Sequence, residues 1–183
     1  IAVFDITPVR DSFYRSLALD FEYYIPEICN QLIKDCYNVL NLMGYLMIHK
    51  KKRSIGSLAH PAYRKLTESI DKKMNVITVN PDTSALKVIE SSFAVISMPF
   101  TSTALIAREL GKPSVFYDPS GLIQKDDPAA HGIPVLNGQG ELKDRISNLV
   151  NDKKGTAFKS RLEDIKFAGK TGTSQVKRIT LSE

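Results

Sequence analysis

Short apolar runs alternate with amphipathic segments along the first 150 residues of this 183-residue chain, and the alternation constrains the fold strongly. The apolar runs have the length of strands and are far too short to span a membrane. The segments between them carry apolar residues at three- and four-residue spacing, as in the helix that Pro26 opens. Strands joined by helices in this way pair in parallel. The pattern therefore predicts an α/β fold, a three-layer Rossmann-like domain with a mostly parallel sheet.

The boundaries of the predicted elements follow from the same pattern. Predicted strands span residues 1–6, 45–49, 75–79, 93–97 and 114–117, with an edge strand at 133–136. Predicted helices span residues 26–43 (ended by Gly44), 61–73, 101–110 and 141–150, with a short one running from Asp82 or Thr83 to 91–92. One domain is thus predicted at 1–150, with a helical or flexible tail at 151–183. Because the chain starts inside a strand and without methionine, we expect it to be a piece of a longer protein.

The composition suits a cytoplasmic protein with an anionic ligand. The formal net charge is +5, and the densest basic run spans residues 50–53. Such a charge favours an anionic ligand, a membrane surface or nucleic acid. Aromatic residues do not alternate with the basic run, so nucleic acid is not an expected partner, whereas peripheral association with the inner face of a membrane stays open. Cys29 and Cys36 share the spacing of one helix face and are expected to be reduced core thiols.

The segment that follows the fourth predicted strand is the most informative one for function. A proline turn leads into Thr101, Ser102 and Thr103, which begin a helix. The free amides and positive dipole end of a helix start attract phosphate, and small hydroxyl side chains add donors. The alternative is that Thr101 serves only as an N-cap.

Basic residues after other strands form a second group of candidates. His60 precedes Pro61 at a predicted helix start, where it can donate to a phosphate or to a nucleotide oxygen. Arg10, Lys50 and Arg53 follow the first two strands and can supply positive charge there. For each of these four residues, the alternative is a solvated surface position.

Several other kinds of site are excluded by spacing. Gly169, Lys170 and Thr171 resemble the end of a phosphate loop, but Asp164 stands where the first glycine is needed. The histidines and aspartates lack the spacing of a zinc site, and no hydrolase elbow or glycosidase carboxylate pair is found. No metal and no cofactor are therefore expected, and no catalytic residue can be named.

Residues 85–121, and especially 93–105 and 109–118, resemble the carboxyl-terminal domain of GT-B glycosyltransferases. They are most similar to the bacterial surface-polysaccharide proteins, of the lipopolysaccharide and capsule type, that carry a Pro-Phe-Thr-Ser motif, which stands here at residues 99–102. His60 and Pro61 are similar to the His-Pro motif of bacterial sialyl- and polysialyltransferases, whose histidine contacts a cytidine nucleotide. Many GT-B enzymes hold the donor ribose with a glutamate at the position of Ile106, so this chain departs from the usual ribose contact.

The resemblance implies a function for the chain. It would be half of a GT-B fold that binds a nucleotide sugar, with Thr101, Ser102 and Thr103 on the donor phosphate. The acceptor and the catalytic base would belong to an amino-terminal domain that this chain lacks, so the fragment alone should not turn over. Two alternatives remain open, namely a domain like that of a sugar-nucleotide 2-epimerase and a non-catalytic nucleotide-binding or scaffold domain.

Overall fold

A computed structural model describes residues 1–16, 23–52 and 54–151 of the protein. Its centre is one sheet of six strands, all parallel, in the order β3-β2-β1-β4-β5-β6. The predicted Rossmann-like α/β fold is therefore confirmed, and the last strand is an edge strand as expected. The strands are β1 (Ala2–Phe4), β2 (Met47–Lys50), β3 (Val76–Val79), β4 (Val95–Ser97), β5 (Ser114–Asp118) and β6 (Val135–Asn137).

Helices cover both faces of the sheet. Successive residues of a strand point to opposite faces, so Val3 packs into a core with α2, α3 and α6, whereas Ala2 and Phe4 pack against α4 and α5. Cys29 and Cys36 are both buried in the first of these cores. The helices are α1 (Asp11–Ser16), α2 (Pro26–Leu42), α3 (Pro61–Ile70), α4 (Ala85–Glu90), α5 (Ser102–Glu109) and α6 (Gly138–Asn151).

The structure differs from the predicted boundaries at a few places. The short helix α1 lies in a stretch for which no element is predicted, because none of its residues is buried and no apolar period marks it. Ser84, not Asp82 or Thr83, precedes α4, and α6 begins three residues before the predicted Glu141. Gly44 ends α2 with a positive φ of 74°, as its position predicts. The predicted tail after Asn151 lies outside the described residues.

The strand order of the sheet reverses at β1. The chain runs outward from β1 through β2 to β3, and then returns to β4 on the other side of β1. At such a reversal the connections leave in opposite directions, and a crevice opens beyond the strand ends. None of the described helices is long and apolar enough to cross a membrane.

Candidate functional site

A crevice of about 730 Å³ lies beyond the carboxyl ends of β1 and β4. We call it the main crevice. It lies at the point where the strand order reverses, the usual ligand position of such sheets. The residues that line it include the last residue of β1, the turn after β4, the start of α5 and the end of β2. Those used below are Asp5, Tyr24, Lys50, Lys51, Lys52, Phe100, Thr101, Ser102 and Thr103.

The start of α5 leaves its first amides without a side-chain cap. Thr101 stands at the N-cap position, yet its side chain makes no capping hydrogen bond. Its hydroxyl donates instead to the Met98 carbonyl, at 2.7 Å, and lies 3.3 Å from the Thr103 hydroxyl. Among the described residues, the main-chain N–H groups of Ser102 and Thr103 have no acceptor outside the helix. The interpretation of Thr101 as a simple N-cap is therefore wrong, and the helix start keeps free donors.

The hydroxyls around this helix start form a short ordered chain. The Thr103 hydroxyl lies 2.8 Å from the hydroxyl of Ser97, the last residue of β4. Ser97 is fully buried, whereas Ser102 is exposed in the crevice wall. These hydroxyl contacts connect the end of β4, the turn and the first turn of α5, and they fix the position of the free main-chain N–H groups.

Phe100, within the same turn, has a strained backbone. Its φ is 60°, a left-handed value that is uncommon for a bulky residue and costs roughly 1–3 kcal/mol. The Phe100 ring packs against Phe116 at a centroid distance of 6.1 Å, yet 39% of the residue stays exposed. The Tyr24 hydroxyl donates to the Pro99 carbonyl at 3.0 Å and holds the turn from the other side. Strain of this kind is concentrated at ligand sites, because neighbouring contacts must maintain it.

Lys50 brings a buried positive charge to the main crevice. It is only 5% exposed, and its ammonium group donates to the carbonyls of Lys51, at 2.9 Å, and Pro81, at 2.7 Å. These two bonds tie the loop after β2 to the loop after β3. Burial lowers the pKa of Lys50, while Asp5 and Asp82 act in the opposite direction. An ammonium has three donors, so one remains for an anion.

The rest of the basic run is divided between an internal ion pair and the solvent. Lys51 pairs with Asp71 at 2.7 Å, which neutralises much of its charge. Lys52 is exposed in the crevice wall, and its side chain has no ion-pair partner among the described residues. Arg53, the fourth basic candidate, lies outside the described residues.

A buried chain of charged groups lies directly beneath the crevice. Asp5 accepts hydrogen bonds from the Tyr63 hydroxyl, at 2.6 Å, and from the Lys52 main-chain N–H, at 3.2 Å. The His49 imidazole lies between two carboxylates, 3.0 Å from Asp5 and 3.4 Å from Asp71. Both oxygens of Asp5 are thus occupied, so this carboxylate positions the Lys52 amide at the crevice and is not a free base.

The two carboxylates hold His49 in its charged form. Burial alone would lower the pKa of His49, but the hydrogen bonds to Asp5 and Asp71 outweigh burial and raise it from 6.5 to about 9. Burial likewise acts to raise the pKa of Asp71, but hydrogen bonds from His49, Lys51 and Thr78 bring it well below its usual range. The network therefore contains an imidazolium between two carboxylates near neutral pH.

This network predicts a pH dependence of stability. Because folding raises the pKa of His49, protonation of His49 stabilises the folded state. This contribution is complete below the unfolded pKa of 6.5 and is lost as the pH rises through about 9. We expect the difference in unfolding free energy between wild type and His49→Asn to shrink by up to about 3 kcal/mol between pH 6 and pH 9.5. Urea denaturation of both proteins at a series of pH values measures it. Taking the difference between the two unfolding free energies cancels the contribution of other groups that titrate in the same range. A difference that does not change with pH would contradict a charged His49.

Two predicted site residues lie away from the main crevice. His60 caps α3, and its Nδ1 accepts a hydrogen bond from the Ala62 main-chain N–H at 3.3 Å. Its Nε2 lies 4.0 Å from a carboxylate oxygen of Asp11. Arg10 precedes α1, where its main-chain N–H donates to the Leu58 carbonyl at 2.9 Å, and its buried Nε has no partner among the described residues. Neither residue lines the main crevice, and their roles stay predictions.

The buried chain was the part of the site that sequence reasoning missed. Asp5 and His49 lie 44 residues apart, and no local sequence pattern connects them. A signal was present, because a charged residue inside or directly after an apolar strand must find a buried partner. Among the described residues, no group of three histidine, cysteine or acidic side chains is placed to hold a metal ion.

Comparison with known proteins identifies a family for the chain. A family model described as "Polysaccharide biosynthesis PFTS motif protein" matches residues 1–146, well over half of the chain. The matched region runs from the first strand into α6 and contains the Pro-Phe-Thr-Ser turn at the main crevice. No curated protein and no solved structure matches significantly.

Proposed function

This chain belongs to the polysaccharide biosynthesis PFTS motif family, and from that premise we propose that it is the donor-binding domain of a GT-B glycosyltransferase. The domain would bind a nucleotide sugar in the main crevice during the synthesis of a surface polysaccharide. A separate amino-terminal domain would bring the acceptor and the catalytic base. The family description itself covers polysaccharide biosynthesis, and the transferase reaction is the proposed step within it.

The observation that carries the proposal is the uncapped start of α5 at the strand-order reversal. The main-chain N–H groups of Ser102 and Thr103 and the exposed Ser102 hydroxyl are donors in the crevice wall. A diphosphate is the ligand that such donors, together with the positive end of the helix dipole, suit best. The family's own motif forms this turn, so the motif and the anion site coincide.

The charges around the crevice support a negatively charged ligand. Lys50 and Lys52 line it, and its single lining carboxylate among the described residues, Asp5, already accepts hydrogen bonds at both oxygens. In glycosyl transfer an acceptor oxygen bonds to the anomeric carbon and gives its proton to the base, while the bond from that carbon to the phosphate oxygen breaks and negative charge grows on the leaving nucleotide. Fixed donors and the Lys50 ammonium would stabilise that charge. A 2-epimerase would need acidic residues free to act on the sugar ring, and Asp5 is not free.

Nucleotide titration of the protein tests the proposal. We expect calorimetry to detect binding of at least one of CMP, UDP and GDP, and Thr101→Val to weaken it about fivefold or more, because the ordered turn loses its hydroxyl bond to Met98. His60→Ala, measured alongside, tests whether His60 contacts the nucleotide.

Thr83→Val is the matched control, since Thr83 lies in the loop after β3 and does not line the main crevice. It should leave the affinity within about twofold of wild type. If no nucleotide binds at millimolar concentration, the donor-binding proposal is wrong and a scaffold domain is favoured.

A further inference from the structure

A second crevice, of about 530 Å³, lies beyond the carboxyl ends of β2 and β3, beside the start of α3. It adjoins the main crevice. Lys51 lines both, and a small depression of about 170 Å³ shares Thr7 and Ile55 with the second crevice and Lys52 with the main one. Adjoining depressions therefore follow the carboxyl edge of the sheet from the start of α5, across β1, to the start of α3, and we call this series the groove.

Arg64 in the wall of the second crevice has no explained partner. Its Nε is buried without a hydrogen bond, and its guanidinium makes no hydrogen bond or ion pair with any described residue. Glu68 lies one helical turn further along α3, lines the same crevice and is likewise unpaired within the described part of the chain. A buried polar atom without a partner calls for a missing water, ion or ligand.

The chemistry of this wall is unlike that of the main crevice. Arginine only donates hydrogen bonds and a carboxylate only accepts them, so together they match a group whose edge offers both acceptors and donors. Glu68 would repel a phosphate. Ile55, Val79 and Pro81 add apolar surface, which suits the faces of a flat ring. A neutral heterocycle fits all three features.

We propose that the second crevice holds the base of the donor nucleotide, whose hydrogen-bonding edge is read by Arg64 and Glu68. The inference rests on the proposed function, since the phosphates are taken to lie at the start of α5. Neighbouring strands are about 4.8 Å apart, so the steps from β4 through β1 to β2 or β3 cover roughly 10–15 Å. An extended nucleoside diphosphate spans a groove of this size.

Nucleoside diphosphates that differ only in the base test the inference. CDP, UDP, ADP and GDP are titrated into the protein by calorimetry. We expect wild type to bind one of the four more tightly than the others. Arg64→Gln and Glu68→Gln should each weaken the binding of that preferred nucleotide about tenfold, which brings the four affinities within about threefold of one another. Thr101→Val should weaken all four by a similar factor and keep their ranking. Lys65→Gln removes a charge from the exposed side of the same helix and should change neither the affinities nor their ranking.

The outcomes separate this inference from the function it rests on. If the four ligands bind and both the ranking and the affinities survive Arg64→Gln and Glu68→Gln, the base lies elsewhere, while the donor-binding proposal stands. Equal binding of all four to wild type also overturns the inference. If none binds to wild type, the proposed function fails and the inference fails with it. Glu68 is exposed, so its variant provides the test even where Arg64→Gln lowers stability.

Discussion

Replacement of His49 by asparagine is expected to lower the free energy of unfolding by about 3–5 kcal/mol near pH 6. His49 is fully buried, as is the Asp5 side chain that it contacts at 3.0 Å. Asparagine can keep one hydrogen bond but carries no charge, so the Asp5 carboxylate would remain in the core without its counter-ion. Breaking a buried ion pair from one side is among the most destabilising single changes, because the desolvation of the remaining charge is no longer offset.

Urea denaturation followed by circular dichroism measures this loss, and His131→Asn provides the control. His131 is exposed and has a left-handed backbone with a φ of 49°, which asparagine accepts readily. Its replacement should change the free energy by no more than about 0.5 kcal/mol. A loss below about 1 kcal/mol for His49→Asn would show that the network is not held by charge.

The second large effect is expected for Ser102→Glu, which should weaken nucleotide binding without lowering the stability of the protein. Ser102 is the first residue of α5 and is exposed in the wall of the main crevice. A carboxylate there would occupy the free amides and repel phosphate, so nucleotide affinity should fall at least about 30-fold, or about 2 kcal/mol. The same carboxylate favours the helix dipole, so the free energy of unfolding should stay unchanged or rise by a few tenths of a kcal/mol.

Ser102→Gln distinguishes charge from size in that experiment. Glutamine has nearly the same shape but no charge, so it should weaken binding by only about threefold. Calorimetry with the preferred nucleotide and thermal denaturation of each variant give the two quantities. Equal losses of affinity in Ser102→Glu and Ser102→Gln would mean that the size of the side chain, not its charge, matters at this position. An affinity that is unchanged in both variants would show that the phosphate does not bind at the start of α5.

The main elements of the fold could be predicted from the sequence because apolar periodicity marks them directly. The segments around Val3 and Ile96 are buried strands flanked by turn residues, and their alternation with helices predicts parallel pairing but not the order of the strands in the sheet. Helix α1 carries no such mark, since none of its residues is buried. Arg10, the residue before it, donates its main-chain N–H to the distant Leu58 carbonyl, a contact that no local pattern reveals.

The candidate site could be predicted only where neighbouring residues form it. Thr101 and Ser102 stand next to each other after a strand, so their meeting at the crevice follows from local pattern alone. The contact of Asp5 with His49 depends on the register between β1 and β2, in which Val3 pairs with His49. Arg64 belongs to the second crevice only because the loop after β3 closes its other side. A single sequence does not specify such pairings.

Lys50 has a practical consequence for the design of ligands. Its ammonium already joins the loops after β2 and β3 through the Lys51 and Pro81 carbonyls, so two walls are fixed before a ligand arrives. A compound that binds between them has little chain to order, and most of its contact energy is retained as affinity. Small, rigid heterocyclic fragments should therefore be productive starting points, and growing them toward the start of α5 with an anionic group would add affinity stepwise.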